Sequence, residues 1–369
     1  MFKTIYIRFI AFALLSLQTT LSWAVETTDR ISFQTVALTP GETETQYVSL
    51  VIIGSRKYSA YNLDIKIPEG VELAFDEGEE DVYFDTDCMI PYTKGNPKHQ
   101  IEATYTAEDR NLRISCVSTS SAEFKSESGV VCYIGLTVST YAKPGAVSMA
   151  LSGQALTTAD AVQYDPADVT DTNITIGTSA KADLSVSSAN KWSTVILPFA
   201  TELPAGLKAY TCNSKSDEEK VFYLTEATQI DAYTPYILYS ESGYNGTLQG
   251  EVDASQYPEA GYVKSGYLTG AVKSQTTNEG YILQKLNGVV KFYKADAAKT
   301  YNIPAGKCWA TPTDAEQDSY DFSFAPTAVN SVVETVESKN ENKFDINGVM
   351  INSPQKGQLY IQSRKKLLR

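Results

Sequence analysis

The chain has 369 residues, 43% of them hydrophobic, and a formal net charge of −13 at pH 7. This composition is typical of packed globular domains and excludes a largely disordered chain. A surface this acidic repels the phosphates of nucleic acids, so we expect no nucleic-acid partner.

The first 24 residues have the pattern of a secretory signal peptide. Two basic residues precede an apolar run over residues 9–17, and the small residues Ser22 and Ala24 suit the −3 and −1 positions of a cleavage site. The apolar run is shorter than the roughly 20 residues that a membrane span needs. We therefore predict cleavage after Ala24 and a secreted protein, extracellular or on the outer cell surface, that is not an integral membrane protein.

Short alternating stretches of apolar and polar residues, separated by turn residues, dominate from Ile31 onward. Residues 61–67 have the period of two that is typical of a half-buried strand, and Asn287-Gly288 is a pair favoured in two-residue hairpins. The predicted strands are residues 47–53, 61–67, 101–106, 111–117, 130–139, 146–151, 172–176, 192–199, 221–224, 235–239, 280–284, 289–294 and 307–310. Their even spacing predicts an all-β chain that begins with a β-sandwich.

Changes in composition along the chain predict its domain organisation. Residues 177–181 are small and polar and are expected to link two domains, and a second charged, polar stretch precedes a basic tail of net charge +5. The predicted segments are a signal peptide (1–24), a β-sandwich (25–177), a second β-rich domain (182–325), a linker (326–342) and a C-terminal β-hairpin segment (343–369).

Two of these segments resemble known modules of secreted proteins. Residues 40–43 before a buried strand, followed by 61–65 and 143–147, resemble the pattern of cohesins and carbohydrate-binding modules. That resemblance implies a β-sandwich that recognises a dockerin or a glycan. Residues 192–199 and 303–307 resemble a β-rich module of large surface proteins from Gram-negative gut and oral anaerobes, for which no function is implied.

The C-terminal segment resembles a third family. Residues 344–348, 356–357 and 359–361 are similar to the C-terminal sorting domains of type IX secretion, from which Gln358 departs. The resemblance implies transport across the outer membrane, often with attachment to the cell surface. The alternative is a small hairpin docked on the second domain.

The residue types in the chain give little support to a catalytic function. The only histidine, His99, lies in a polar stretch and is predicted to be a solvated loop residue, and Cys88 is the thiol nearest to it in sequence. A cysteine or serine nucleophile usually needs a histidine base held by a third group, and nothing else supports that pair. One histidine excludes histidine-rich metal chemistry, and no phosphate-binding glycine loop is present. We predict no enzymatic activity and no cofactor.

Glycoside hydrolysis needs only two carboxylates, so the acidic clusters are candidates for it. The densest cluster is predicted to be a solvated loop, with a calcium or partner surface and a catalytic pair as alternatives; it comprises Asp76, Glu77, Glu79, Glu80, Asp81, Asp85 and Asp87. A second cluster, Asp165, Asp168 and Asp171, leaves calcium open because spacing alone cannot show that the oxygens converge. No metal site is assigned to either cluster.

Cysteine and aromatic residues leave two further questions open. Cys116 and Cys132 fall on the apolar side of two predicted strands, so they are either buried thiols or a disulfide. Trp192 is predicted to lie in the core. Trp309 or the tyrosines could supply rings for a glycan, but no platform is located.

These observations predict a non-catalytic extracellular or cell-surface binding protein whose ligand is a carbohydrate or a protein. The alternative is a structural subunit or spacer that pairs through strand edges, and a glycoside hydrolase is a more distant one. The ligand-binding residues are unknown at this point. Two or three exposed rings beside polar groups would favour a glycan, whereas a flat aliphatic sheet face would favour a protein partner.

Overall fold

The computed structural model describes residues 27–74, 82–83, 85–91, 98–312 and 317–324, and the backbone of four short strands between 343 and 368. The predicted signal peptide and the predicted linker lie outside the described residues. The chain divides into two compact units, one ending at Ser323 and the other beginning at Phe324. The described residues confirm the all-β prediction, because their only helix is one 3-10 turn, Ala254–Gln256. In the described part of the chain, no helix has the length and apolar character to cross a bilayer.

In the first half of the larger unit, the described residues form fourteen strands. They are β1 Arg30–Phe33, β2 Val36–Leu38, β3 Gln46–Ile53, β4 Ala60–Lys66, β5 Val71–Leu73, β6 Val82–Tyr83, β7 His99–Thr106, β8 Asn111–Ser118, β9 Gly129–Val138, β10 Gly145–Ala146, β11 Met149–Thr157, β12 Gln163–Tyr164, β13 Val169–Asp171 and β14 Ile174–Ile176. Six of them, β3, β4, β7, β8, β9 and β14, match predicted strands, and the strand predicted at 146–151 is divided between β10 and β11. The other six were not predicted.

These strands form two facing sheets. One has the order β1-β3-β9-β5, with β6 also paired to β9, and the other has the order β12-β11-β4-β8-β7, with β13 also paired to β11. Alternation directs every second side chain between the sheets. Leu50 and Ile52 of β3 and Leu63 and Ile65 of β4 have no exposed surface and share one core. A three-stranded sheet, β10-β14-β2, contains the parallel pair β14 and β2.

In the part of the second half that the structure describes, sixteen further strands follow. They are β15 Ser179–Val186, β16 Trp192–Val195, β17 Thr201–Glu202, β18 Lys208–Ser216, β19 Val221–Ala227, β20 Gln229–Ile230, β21 Tyr236–Tyr239, β22 Tyr244–Glu251, β23 Tyr262–Ser265, β24 Leu268–Ala271, β25 Gln275–Thr277, β26 Tyr281–Leu286, β27 Val289–Lys294, β28 Tyr301–Ile303, β29 Cys308–Ala310 and β30 Ser319–Phe324. Ten of them form one sheet, in the order β16-β21-β18-β19-β30-β27-β26-β29-β24-β23.

The predicted hairpin at Asn287-Gly288 is confirmed. Leu286 pairs with Val289 across the turn, and both central residues have positive φ, 51° and 84°. That is the conformation of the tight turn that Asn-Gly favours, since its twist matches the twist of the flanking strands.

The residues expected to form a linker at 177–181 have a different structure. Ser179–Val186 is strand β15, which pairs along its full length with β22. Its alternate residues, Ala180, Ala182, Leu184 and Val186, are apolar and buried. The expectation of a linker is therefore corrected, while the division into two domains stays a prediction.

The C-terminal unit is a small antiparallel sheet of the order β32-β31-β33-β34. Its strands are β31 Lys343–Asp345, β32 Met350–Ile351, β33 Leu359–Gln362 and β34 Lys365–Leu368. Strands were predicted at residues 344–346 and 358–361 of this segment, and the described residues form four strands.

Candidate functional site

Three neighbouring strands of the first sheet each place one tyrosine on its outer face. They are Tyr47 of β3, Tyr133 of β9 and Tyr83 of β6, which we call the tyrosine patch. Tyr83 and Tyr133 are direct cross-strand partners. Because side chains alternate along a strand, the residues beside them, Val48 and Ile134, point into the core.

The three rings contact one another at the surface. The ring centroids of Tyr83 and Tyr133 lie 5.3 Å apart with an interplanar angle of 31°. Tyr47 stands perpendicular to Tyr83, also at 5.3 Å. Tyr47 is 45% exposed and Tyr83 is 36% exposed. The patch therefore presents aromatic surface to solvent instead of burying it.

A glycine makes room for Tyr47 above β9. Gly135 pairs with Tyr47 across the sheet, and a Cβ atom at this position would lie 3.3 Å from a carbon of the Tyr47 ring. Without a side chain at Gly135, the ring extends across β9 toward Tyr83. The cross-strand pair of Tyr83 and Tyr133, and the space that Gly135 leaves for the Tyr47 ring, thus bring together the tyrosines of three strands.

A carboxylate borders the patch. The Tyr133 hydroxyl donates a hydrogen bond of 2.5 Å to Oδ2 of Asp87. This hydrogen bond, with burial, raises the pKa of Tyr133, so the hydroxyl stays protonated at neutral pH. Asp87 and Asp85 are the described members of the predicted acidic cluster, and its other five residues lie outside the described residues.

The segment that carries Asp87 is fixed to the sandwich by its backbone. The amide of Met89 donates to the carbonyl of Val130 at 2.8 Å. The ammonium of Lys125 donates to the carbonyls of Thr86 and Cys88 at 3.0 and 2.8 Å. These contacts position the carboxylate at the edge of the rings.

This arrangement suits a polyhydroxylated ligand. Aromatic faces take apolar C–H surface, while tyrosine hydroxyls and carboxylates exchange hydrogen bonds with hydroxyl groups. The outer face of the opposite sheet differs where β4 pairs with β8. There Arg113 lies 3.1 Å from Asp64, and Asn111 donates to the same carboxylate at 3.0 Å. The centre of that face is polar, not aliphatic.

The predicted solvent exposure of His99 is wrong. His99 begins β7 and is only 1% exposed. Its Nε2 lies 2.9 Å from the carbonyl of Ala122, and its ring lies 5.2 Å from that of Phe124. Burial lowers the pKa of His99. Cys88 is also fully buried, so neither residue is open to a substrate.

The second acidic cluster is divided among separate hydrogen bonds. Buried Asp171 accepts from the Ser32 hydroxyl at 2.6 Å and from the Phe33 amide at 2.9 Å. Asp168 accepts from the amide of Gly153 at 3.1 Å, and Asp165 accepts from the Gln163 side chain. Within the described ranges, no group of three or more His, Cys, Asp or Glu residues could hold a metal ion.

The cysteines and tryptophans contribute to the cores. All five thiols are free and buried, including Cys116 and Cys132, so the buried-thiol interpretation fits the structure. Half-buried Trp192 packs against Tyr239 and Phe322 with ring centroids 4.7 and 4.6 Å apart. Among the described residues, the tyrosine patch groups aromatic rings at the surface.

Comparisons with known proteins give only structural likenesses. No protein-family model matches the chain, and no curated protein sequence matches it. The non-cellulosomal cohesin of Archaeoglobus fulgidus is 16% identical, and the match covers 41% of this chain and 91% of that chain with a TM-score of 0.30.

Two further solved structures match this chain with similar sequence identity, coverage and TM-score. A cohesin in a type I cohesin–dockerin complex from Clostridium thermocellum is 14% identical, covering 41% of this chain and 99% of that chain with a TM-score of 0.32. A Clostridium acetobutylicum protein named CaCohA2 is 17% identical, covering 40% and 91% of the two chains with a TM-score of 0.30.

Proposed function

We propose that this protein is a non-catalytic extracellular binding protein that holds a neutral carbohydrate on the tyrosine patch. The observation that supports the proposal is the grouping of Tyr47, Tyr83 and Tyr133 at the surface, with centroid separations of 5.3 Å, beside the carboxylate of Asp87. Contiguous exposed apolar surface in a folded protein commonly marks a binding site.

The geometry assigns a role to each group in the patch. Tyr83 and Tyr133, inclined by only 31°, stack on the C–H face of a sugar ring, and Tyr47 borders it edge-on. Asp87 accepts hydrogen bonds from sugar hydroxyls. The adjacent negative charges of Asp85 and Asp87 disfavour acidic sugars, which is why we propose a neutral one.

The extracellular location is the second part of this proposal. It is supported by the signal-peptide pattern of residues 1–24 and by the sorting-like pattern of residues 343–369. Two measurements test it. N-terminal sequencing of the exported protein should start at Val25, and deletion of residues 343–369 should abolish display on the cell surface while leaving the first export step intact.

The sugar-binding part is tested with the full chain on an array of neutral glycans, followed by calorimetry with the strongest ligand. Tyr83→Ala and Tyr133→Ala should each weaken binding by about tenfold or more, since each removes a ring worth on the order of 1.5 kcal/mol. Tyr262→Ala is the matched control, because Tyr262 is 48% exposed but lies on β23, outside the patch. It should bind like the wild type.

Two outcomes would reject carbohydrate binding at the patch. One is an array without any neutral ligand for the wild-type chain. The other is equal loss of affinity in Tyr262→Ala and Tyr83→Ala. Retained thermal unfolding transitions in both alanine variants would show that a loss of affinity is local.

A further inference from the structure

A cavity lies in the second half of the larger unit, whereas the tyrosine patch lies in the first half. The cavity measures about 270 Å³, which is below the range of roughly 300–1,000 Å³ that holds drug-sized ligands. Its exposed rim carries the side chains of Asn190, Lys285 and Asn302, and its buried part includes Ile303 and Cys308. The cavity is large enough for about one ring-sized group.

Lys307 lies in the wall of this cavity and is held firmly by its backbone. Its amide donates to the carbonyl of Pro304 at 3.1 Å, and its carbonyl accepts from the amide of Ala271 at 2.8 Å. The ammonium reaches Ser193 Oγ at 3.2 Å and the Thr194 carbonyl at 3.4 Å. Both partners are uncharged, so these hydrogen bonds do not neutralise the positive charge of the ammonium.

The absence of a counter-ion distinguishes Lys307 from comparable lysines. Among the described residues, Lys307 is the one lysine that is not exposed and has no carboxylate within 4 Å. In a larger cleft elsewhere in this unit, Lys143 and Lys273 are paired with Glu259 and Glu69 at 2.5 and 3.0 Å. Their charges are already matched.

The charged side chains that line the Lys307 cavity are all positive. The lining contains two lysines, Lys285 and Lys307, and no aspartate or glutamate among its described residues, although the chain as a whole has a net charge of −13. Burial lowers the pKa of Lys307, because the ammonium has lost part of its hydration. An anion in the cavity would restore favourable electrostatic contact.

We propose that this cavity binds an acidic sugar, a single uronic-acid unit whose carboxylate pairs with the ammonium of Lys307. The amide side chains of Asn190, Gln284 and Asn302 can exchange hydrogen bonds with ring hydroxyls, and Ile282 and Val290 provide apolar wall for the ring.

A peptide carboxylate fits the site less well than an acidic sugar. An extended peptide commonly binds by adding a strand to a free sheet edge. Of the lining strands, β26 pairs with β27 and β29, and β29 pairs with β26 and β24. The side of β16 that faces away from β21 is bonded to the 306–308 segment, through Ile196 N to the Gly306 carbonyl and Cys308 N to Thr194 Oγ1, and, among the described residues, β28 pairs with a single strand, β25. The proposal is independent of the tyrosine patch.

The experiment measures binding of glucuronic acid, glucose and a short glutamate-containing peptide by calorimetry to the full chain carrying Tyr83→Ala, which weakens the proposed neutral-sugar site so that glucose bound there does not obscure the cavity. Glucuronic acid should bind, and the other two should bind at least about tenfold more weakly. Lys307→Met should weaken glucuronic acid binding by about tenfold or more, since one charge-assisted hydrogen bond is lost. Lys307→Arg should restore most of the affinity if the variant keeps the positive charge at the site.

Matched variants separate a local effect from misfolding. Lys264→Met, which removes an exposed lysine on β23, and Tyr83→Ala should both bind glucuronic acid like the wild type. Equal binding of glucuronic acid to Lys307→Met and the wild type would overturn the proposal, and so would equal binding of glucose and glucuronic acid to the Tyr83→Ala chain. Tighter binding of the peptide than of glucuronic acid would assign the cavity to protein carboxylates and overturn the sugar assignment.

Discussion

The hydroxyl of Tyr141, which follows β9 of the sandwich, donates a 3.0 Å hydrogen bond to the carbonyl of Ile196, which follows β16. Gly306 lies against the same tyrosine, and a Cβ atom there would be 2.3 Å from the hydroxyl oxygen. Gly306 also accepts a hydrogen bond from the amide of Ile196 and immediately precedes Lys307. One half-buried tyrosine thus connects the sandwich to the segment that carries the proposed acidic-sugar site.

Replacing Tyr141 by phenylalanine tests this connection. Tyr141→Phe keeps the ring but leaves the Ile196 carbonyl without that donor, which should lower the free energy of unfolding by about 1–2 kcal/mol. Urea denaturation measures the change. Tyr262→Phe, at an exposed position, is the control and should change stability by less than about 0.5 kcal/mol. Equal midpoints for both variants would show that the Tyr141 hydrogen bond contributes nothing.

A single methyl group at Gly135 should disturb the tyrosine patch without unfolding the sheet. The added Cβ would lie 3.3 Å from the Tyr47 ring and 2.9 Å from Thr45 Cγ2, so the ring must move. Because Gly135 does not have a positive φ, alanine is not strained there. We expect Gly135→Ala to weaken neutral-sugar binding roughly threefold to tenfold, with stability changed by less than about 1 kcal/mol.

The control for Gly135→Ala is Thr137→Ala, two residues along the same face of β9. Its affinity for neutral sugar should match that of the wild type. If Gly135→Ala also binds like the wild type, the position of Tyr47 does not matter for the ligand.

Local rules account for what could be predicted from the sequence. The period of two in β4 and the chemistry of Asn287-Gly288 each depend on adjacent residues, and both were predicted correctly. The outward direction of Tyr47 was missed, because residues 47–53 form an almost uninterrupted apolar run. The patch becomes visible only when β9 supplies Gly135 and Tyr133 from some 85 residues further along the chain.

The error at His99 has a similar origin. The residues around it are polar and predict an exposed loop, but β7 pairs with β8 and turns the imidazole toward Phe124. The linker expected at 177–181 overlaps the start of β15, because the small residues Ser179 and Ala180 are also common in flexible segments. In each case a contact distant in sequence decides the burial.

The cysteine thiols should not react with disulfide reagents in the folded protein. Burial raises the pKa of Cys132, Cys212 and Cys308 to about 12 each, and only the thiolate reacts readily with disulfide reagents. Ellman's reagent should therefore label no thiol of the native chain within minutes. In denaturant without reductant it should label all five.

An introduced surface thiol provides the control for this labelling. Ser120→Cys places a thiol at an exposed position, and one equivalent should react in the native state. A count of three thiols in denaturant without reductant, rising to five with it, would show that one disulfide exists and that the buried thiols are not all free.

His99 should make stability depend on pH in a defined window. Burial lowers its pKa in the folded state, so below about pH 6.5, the value expected in the unfolded chain, the unfolded state binds more protons than the folded state. Stability should fall as the pH decreases from about 7 toward the lowered folded-state pKa. The limiting slope for one proton is about 1.4 kcal/mol per pH unit.

Because the chain has a single histidine, His99→Gln removes this contribution alone. The variant should be less stable at pH 7.5, since the imidazole packs beside Phe124, but its unfolding free energy should be flatter between pH 7.5 and 5.5. Urea denaturation across that range measures both effects. Parallel curves for the two proteins would mean that the imidazole titrates equally in the folded and unfolded states, which is incompatible with a side chain that is 1% exposed and held at 2.9 Å from the Ala122 carbonyl.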